Sequence, residues 1–245
     1  MKRWSAYFLF CFLFNVCLQQ GFSQSPYALK SSREIILSGA AIGISVPAYF
    51  LSENKHKLTV EEISNFKKED VNSFDRAAIN YYSAGAKNTS DVLLYSSLAS
   101  PILLMLDKNI RENSWEASLL YLETIVVASV GINLSKGLVS RPRPYVYNPD
   151  VPGSVKQKTD ATNSFFSGHT TMSAASAFFT AKIFCDYNPD SKLKPVAWIC
   201  AATLPLATGY CRIRAGQHFP TDVIAGYCWG ALSGILIPQL HKRKD

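Results

Sequence analysis

Six apolar blocks, separated by polar stretches, set the pattern of this chain. Ile35 to Leu51 is uncharged, Val92 to Leu106 is apolar apart from serines, and Ala117 to Leu134 carries only Glu123. Ser167 to Phe184, Val196 to Tyr210 and Val223 to Leu240 complete the set. Several approach the length needed to cross hydrocarbon, where only helices or closed barrels satisfy every backbone group. The strict alternation of barrel strands is missing. The pattern therefore predicts an all-α fold, a bundle of five or six membrane-embedded helices. The blocks are rich in Gly, Ser and Ala, a composition that suits close helix packing in lipid and equally a buried helix in a soluble domain.

The intervening stretches differ in kind. Residues 53–82 are charged, with Val60, Ile63, Phe66, Val71 and Phe74 at three- to five-residue intervals, which predicts an amphipathic helix on a surface or interface. Tyr145 to Asn163 holds Pro, Gly, Asp and Lys without periodicity, as a flexible loop beside a site would. At the start, Lys2 and Arg3 precede an apolar run from Tyr7 to Leu18 and small residues at Gly21 and Ser23. Residues 1–23 thus read as a signal peptide, with an uncleaved anchor as the alternative, and 24–245 as one helical domain.

With 48% hydrophobic and 18% charged residues and a mean hydropathy of +0.04, disorder is excluded and apolar blocks must alternate with polar loops. The formal charge of +7 resides at block ends rather than in stripes with aromatics, so it suits membrane flanks and anionic head groups, not nucleic acid. Cys185, Cys200, Cys211 and Cys228 lie in or beside apolar blocks without metal or redox spacing and read as small buried hydrophobes.

Three clusters carry unlike residues. In KGLVSRPRPY, Lys136 and Arg143 stand seven apart with Arg141 between them; Pro142 and Pro144 stop the helix and lead the arginines out on an extended segment. In SFFSGHTTMS, Asn163 or Ser164 is placed to cap a helix whose first turn exposes the amides of Ser167 and Gly168, an anion site with His169 beside it. In CRIRAGQHFPTDVIAG, Pro220 suits the first helical turn, and Asp222 falls where its carboxylate folds back toward His218 and fixes its tautomer. Each cluster has a plainer reading, as membrane-edge charge, structural helix-end histidine or Asp cap. Together they supply three cations, helix amides and two imidazoles to one phosphate. The two remaining histidines, His56 and His241, read as members of charged flanks.

Order and spacing of these clusters resemble the type 2 phosphatidic acid phosphatase superfamily, whose blocks run K-x6-R-P, P-S-G-H and S-R-x5-H-x3-D. Here they stand as Lys136 to Pro144, Phe166 to His169 and Cys211 to Asp222, with Phe166 and Cys211 replacing the proline of the second block and the serine of the third. The resemblance covers roughly residues 115–240. It implies that His218 attacks phosphorus to form a phosphohistidine, Asp222 orients it and His169 is the general acid. Lys136, Arg143, Ser167, Gly168 and Arg212 would bind the phosphate, with no metal and no cofactor. The substrates it implies are a polyprenyl pyrophosphate, phosphatidylglycerol phosphate, phosphatidic acid or a lipid A phosphate, met at a lipid bilayer.

The basic end HKRKD predicts a cytoplasmic tail, which turns the site outward, toward the periplasm of a bacterial inner membrane. That count fails if all early blocks cross after a cleaved signal, so Ile35 to Leu51, with Pro47 inside, is expected to lie in the interface or cross partially. Glu123 is expected to be a functional acid or a bundle-facing residue paired to a neighbour. The competing readings are a secreted soluble acid phosphatase, a vanadate-dependent haloperoxidase, and a non-catalytic membrane protein that binds anionic lipid head groups.

Overall fold

The structure is a computed structural model that describes residues 25–53 and 55–243; the expected signal segment lies outside the described residues. Among the described residues six long helices form the bundle: α1 (Ser31–Glu53), α2 (Ala84–Ala99), α3 (Ser114–Leu138), α4 (Gly168–Tyr187), α5 (Lys194–Arg214) and α6 (Pro220–His241). Each carries one of the six apolar blocks, the second of which runs from α2 into the 3-10 segment that follows it. Their ends follow local chemistry. Ser83 and Ser167 cap α2 and α4 through their hydroxyls, and prolines open α5 and α6. A 3-10 segment, Ser100–Leu106, prolongs α2. That extended helix, α3, α5 and α6 are each long and apolar enough to cross a membrane.

The helices alternate in direction. At one end of the bundle lie the starts of α2, α4 and α6 and the finishes of α1, α3 and α5. At the other end the first described residues meet the tail: Tyr27 bridges Lys242 in antiparallel fashion, and Ala28 N–H donates to the His241 carbonyl at 2.9 Å. Since α1 begins beside that clasp and finishes where Ala48 and Leu51 abut Gly137, it runs the length of the bundle along α3. Starting at Ser31, the helix has 23 residues, about 34 Å at 1.5 Å per residue, and Pro47 is accommodated inside it.

Helix α4 is central, packed by α2, α3, α5 and α6. Its inward positions are small, with Ser173, Ala174, Ala175 and Ser176 fully buried. Hydroxyls link it to its neighbours: Ser173 bonds Ser97 of α2 at 2.7 Å and Thr208 of α5 at 3.2 Å, and Ser176 bonds Tyr121 of α3 at 2.9 Å. Such interhelical bonds contribute roughly 0.6 kcal/mol each in a bilayer. Against α6 the approach is closer still. A Cβ on Gly226, Gly230 or Gly234 would stand 2.7 Å from the Ser167 carbonyl oxygen, 2.2 Å from that of Thr171 or 2.5 Å from that of Ala175. This stripe of three glycines at four-residue spacing lets two backbones touch, which holds the starts of α4 and α6 side by side.

Leu103, Ile199, Leu206, Tyr210, Leu232 and Leu236 are exposed on the outside of the bundle, an apolar surface too extensive for water and suited to lipid. Cys200 and Cys228 share this outward exposure, so among the described cysteines Cys185 alone is a buried hydrophobe and Cys211 is intermediate. His241, expected in a charged flank, is instead 1% exposed, with Nε2 3.3 Å from Glu123. Glu123 is thus the bundle-facing, paired residue of the two alternatives.

The polar stretches cap the end where α4 and α6 begin. Residues 55–83 form no single amphipathic helix. They break into Val60–Asn65 and the 3-10 turns Lys68–Asp70 and Arg76–Asn80, while Val60 and Phe74 face solvent. The apolar intervals are too irregular for one helical face, and the buried carboxylate of Asp75 fixes the chain locally. The 145–163 segment is likewise no loose loop: Tyr145, Val146, Val151 and Ala161 pack with Leu58 into a small core.

Candidate active site

The second of the three clusters is built on the start of α4. Its cap is Ser167, not Asn163 or Ser164; the Ser164 hydroxyl instead donates to Asp222 Oδ2 at 2.6 Å. The Ser167 amide, expected to face a phosphate, donates to the Asp222 carbonyl at 3.1 Å, and its hydroxyl bonds Thr170 Oγ1 at 2.9 Å. Ser167 therefore ties the two helix starts together, a consequence of the glycine contact at Gly226. Gly168 and His169 keep first-turn N–H groups that no carbonyl of the helix can reach. Lys136, at the last turn of α3, brings Nζ to 3.7 Å from where a Gly168 Cβ would stand.

The first cluster behaves as its prolines require. After α3 ends, Arg141 N–H donates to the Thr162 carbonyl and Arg143 N–H to that of Ala161, at 2.9 and 2.8 Å, so the arginines sit on an extended segment. Arg143 is 5% exposed; its guanidinium donates to the carbonyls of Asp160 and Gln217 and pairs with the Asp160 carboxylate at 3.2 Å. Arg141 turns elsewhere. It donates to Asp222 Oδ1, pairs with Asp75 at 2.7 Å and lies over the Phe219 ring at 4.3 Å.

Helix α6 opens as expected, with Pro220 in its first turn and Phe219 N–H donating to Asp222 Oδ2 at 2.8 Å. The expected imidazole–carboxylate bond is absent: His218 Nδ1 is 3.8 Å from Asp222 Oδ2 and only 2.7 Å from the Ser164 carbonyl oxygen. Asp222 instead accepts from the Ser164 hydroxyl and the Phe219 N–H at Oδ2 and from Arg141 at Oδ1. It acts on His218 at one remove, by fixing Ser164 and the helix start. A carbonyl can only accept, so Nδ1 carries the proton and the neutral ring leaves its lone pair on Nε2. Burial first, then the charges of Arg143, Arg212 and Lys136, pushes the His218 imidazole well below its usual pKa. It is a neutral base surrounded by cations.

Arg212, in the last turn of α5, is 4% exposed, and its contacts are long: 3.3 Å to Ser90 Oγ, 3.5 Å to Gln217 Oε1 and 3.9 Å to Asp91. Its Nε has no hydrogen-bond partner among the described residues. A buried guanidinium with an unused donor is a costly arrangement unless an anion completes it.

Two carboxylates of the site stand outside the three sequence clusters. Asp91 Oδ1 lies 2.8 Å from His169 Nε2. The second apolar block starts at Val92, whereas α2 starts at Ala84 and carries Asp91 within it; an acid abutting an apolar helical run is the available signal. Asp75, fully buried, accepts from Thr221 N–H and Oγ–H at 3.0 and 2.6 Å and from Arg141. Burial alone would raise its pKa, but hydrogen bonds from Thr221, Asn72 and Arg141 hold it below the ordinary carboxylate value. No spacing in the chain announces that partnership.

The structure thus brings Lys136, Arg143, Gly168, His169, Arg212 and His218 to one end of the bundle, with Ser167 and Asp222 as its scaffold. Residues 117–245, over half of the chain, match the sequence model of the PAP2 superfamily. A lipid A 1-phosphatase of Rhizobium johnstonii is 34% identical over 132 residues, 53% of this chain and 50% of that protein. A lipid A 4'-phosphatase of Porphyromonas gingivalis is 27% identical over 164 residues, 66% of this chain and 64% of that protein. The chain spans between half and two thirds of the length of these relatives. No solved structure matches it.

Proposed function

Because the chain belongs to the PAP2 superfamily, we propose that it is a membrane phosphatase that hydrolyses a phosphomonoester or pyrophosphate of a lipid through a phosphohistidine. The observation that carries this reading is the neutral, 2%-exposed imidazole of His218 among Arg143, Arg212 and Lys136, with a buried Arg212 Nε still unpartnered among the described residues. A site that merely bound anionic head groups would gain from a protonated histidine. Here the ring is held uncharged, as a nucleophile requires.

In the first step Nε2 of His218 attacks phosphorus, the bond from phosphorus to the leaving oxygen breaks, and His169 gives that oxygen a proton. Arg143, Arg212, Lys136 and the first-turn amides of α4 meet the charge on the equatorial oxygens. In the second step a water loses its proton to His169 and attacks phosphorus, and the P–N bond returns its electrons to Nε2. Asp91 supports this role of His169, since its carboxylate 2.8 Å from Nε2 orients the ring.

A lipid substrate is supported by the exposed apolar surface, which disfavours the secreted soluble alternative. The relatives named as lipid A phosphatases add weight to a phosphate on a lipid. We place the site on the outer face of a bacterial inner membrane, because Lys108, Arg111, Lys192, Lys194, Lys242 and Arg243 gather at the opposite end. That orientation makes one demand. Ser25 must begin on the inner side, whereas an exported and cleaved leader would leave it outside.

The test is phosphate release by the purified protein in detergent from phosphatidic acid and from p-nitrophenyl phosphate. His218→Ala abolishes release from both while the protein stays folded. His169→Ala, given p-nitrophenyl phosphate, whose leaving group needs little acid, accumulates acid-labile phosphate on the chain. Parent-rate hydrolysis by His218→Ala would overturn the assignment.

A further inference from the structure

Arg143 comes to the phosphate site with its donors already committed. Nε–H goes to the Asp160 carbonyl at 2.9 Å, Nη1 to the carbonyl and Oε1 of Gln217 at 3.2 and 3.0 Å, and Nη2 to the Asp160 carboxylate at 3.2 Å. A guanidinium has five N–H groups, so these four bonds leave one over among the described residues. The strong form of contact with a phosphoryl group uses two N–H groups at once. One of the present acceptors must therefore give way when phosphate arrives.

The main-chain acceptors are fixed. The Asp160 carbonyl also takes the Asn163 amide at 3.0 Å, Arg143 N–H donates to the neighbouring Ala161 carbonyl at 2.8 Å, and Gln217 N–H donates to the Arg212 carbonyl at 3.1 Å. The two side chains are free to turn, and they differ in charge. Gln217 Oε1 is a neutral oxygen shared between the guanidinia, 3.0 Å from Arg143 and 3.5 Å from Arg212 Nη2. Asp160, in the 3-10 turn Thr159–Thr162, brings a full negative charge that also acts on Arg212. Its side chain is 55% exposed against 6% for Arg143, so a side-chain rotation takes the carboxylate into water while the arginine stays where it is.

We infer that Asp160 clears the site of product: its carboxylate leaves Arg143 Nη2 when a lipid phosphate binds and retakes it as inorganic phosphate departs, an assignment that rests on the phosphatase reading above. No bond to phosphorus is made or broken in this exchange. One anion replaces another on the same N–H group. A lipid substrate keeps its tail in the apolar surroundings while its phosphate displaces the carboxylate, whereas free phosphate has no such hold and yields to it. Asp160 is thus a residue of turnover and not of chemistry, set against the retention of a small anion among three cations.

The experiment measures the inhibition constant of inorganic phosphate against p-nitrophenyl phosphate hydrolysis in detergent, and the binding of inorganic phosphate by calorimetry. Asp160→Asn keeps the carbonyl that holds Arg143 Nε and a neutral acceptor beside Nη2. It is expected to tighten inorganic phosphate about tenfold in both measurements and to lower the KM, with Asp160→Glu close to the parent. A merely structural part for Asp160 predicts the reverse, since a loosened Arg143 weakens every anion. Unchanged or weaker phosphate binding by Asp160→Asn in an active protein would overturn the inference and leave the phosphatase standing. A parent that hydrolyses neither p-nitrophenyl phosphate nor phosphatidic acid sinks the phosphatase reading and the release step with it.

Discussion

Asp91 Oδ1 stands 2.8 Å from His169 Nε2 and 3.9 Å from Arg212, so one carboxylate from α2 orients the imidazole of α4 without neutralising the guanidinium of α5. Three helices meet at that contact. Asp91→Asn keeps the shape and loses the charge, and it is expected to lower kcat on the order of 10- to 100-fold with little change in KM. The loss should be smaller with p-nitrophenyl phosphate than with a lipid phosphate, because a good leaving group needs less help from His169. Steady-state kinetics on both substrates check this; an equal loss on both would assign Asp91 a purely structural part.

Asp222 is expected to matter for folding more than its place in the motif suggests. Its removal leaves the Ser164 hydroxyl and the Phe219 amide without an acceptor and takes one of two carboxylates from Arg141, which keeps Asp75. Asp222→Ala should cost about 2–4 kcal/mol, the sum of stranding two buried donors. Thermal unfolding in detergent measures it. Ser164→Ala, which removes a single hydrogen bond and keeps the carbonyl under His218, should cost about 1 kcal/mol.

The pH dependence of stability follows from His218. Its pKa is lowered in the folded chain, so above about pH 6.5 both folded and unfolded states hold it neutral and no penalty exists. Below that value the unfolded chain takes up a proton that the folded one refuses. Stability then falls by up to about 1.4 kcal/mol per pH unit from this residue until the lowered folded pKa is reached. Denaturant titrations at pH 5 and 7 should show a drop that His218→Gln reduces.

Close backbone contact predicts an asymmetry among glycines. Gly226→Ala drives a methyl to within 2.7 Å of the Ser167 carbonyl oxygen and 2.8 Å of Thr171 Oγ1, and should cost about 1–3 kcal/mol along with much of the activity. Gly39→Ala meets nothing within 4 Å and should be neutral or stabilising. Expression, melting temperature and turnover of the pair discriminate.

The legible part of this molecule is what local rules determine. Apolar block length marks all six long helices, Pro142 and Pro144 mark the extended segment that carries Arg143, and Pro220 with Asp222 marks the start of α6. What stays hidden depends on partners distant in sequence. Nothing near Asp75 points to Thr221, 146 residues away, and nothing near His218 says that the carbonyl of Ser164 will take its Nδ1–H in place of Asp222. Arg141 looks like a spare cation for phosphate because the carboxylates that bind it come from two other elements. Block boundaries mislead for a related reason: α2 begins eight residues before Val92, on polar residues that are helical because Ser83 caps them.

The clasp of Tyr27 on Lys242 joins the two margins of the described chain on one side of the bundle. Among the described residues, six alternating helices between them bring both margins to the end of the bundle opposite the phosphate site. A label attached near either margin, scored as reachable or protected in intact cells, therefore reports on the face opposite the phosphate chemistry.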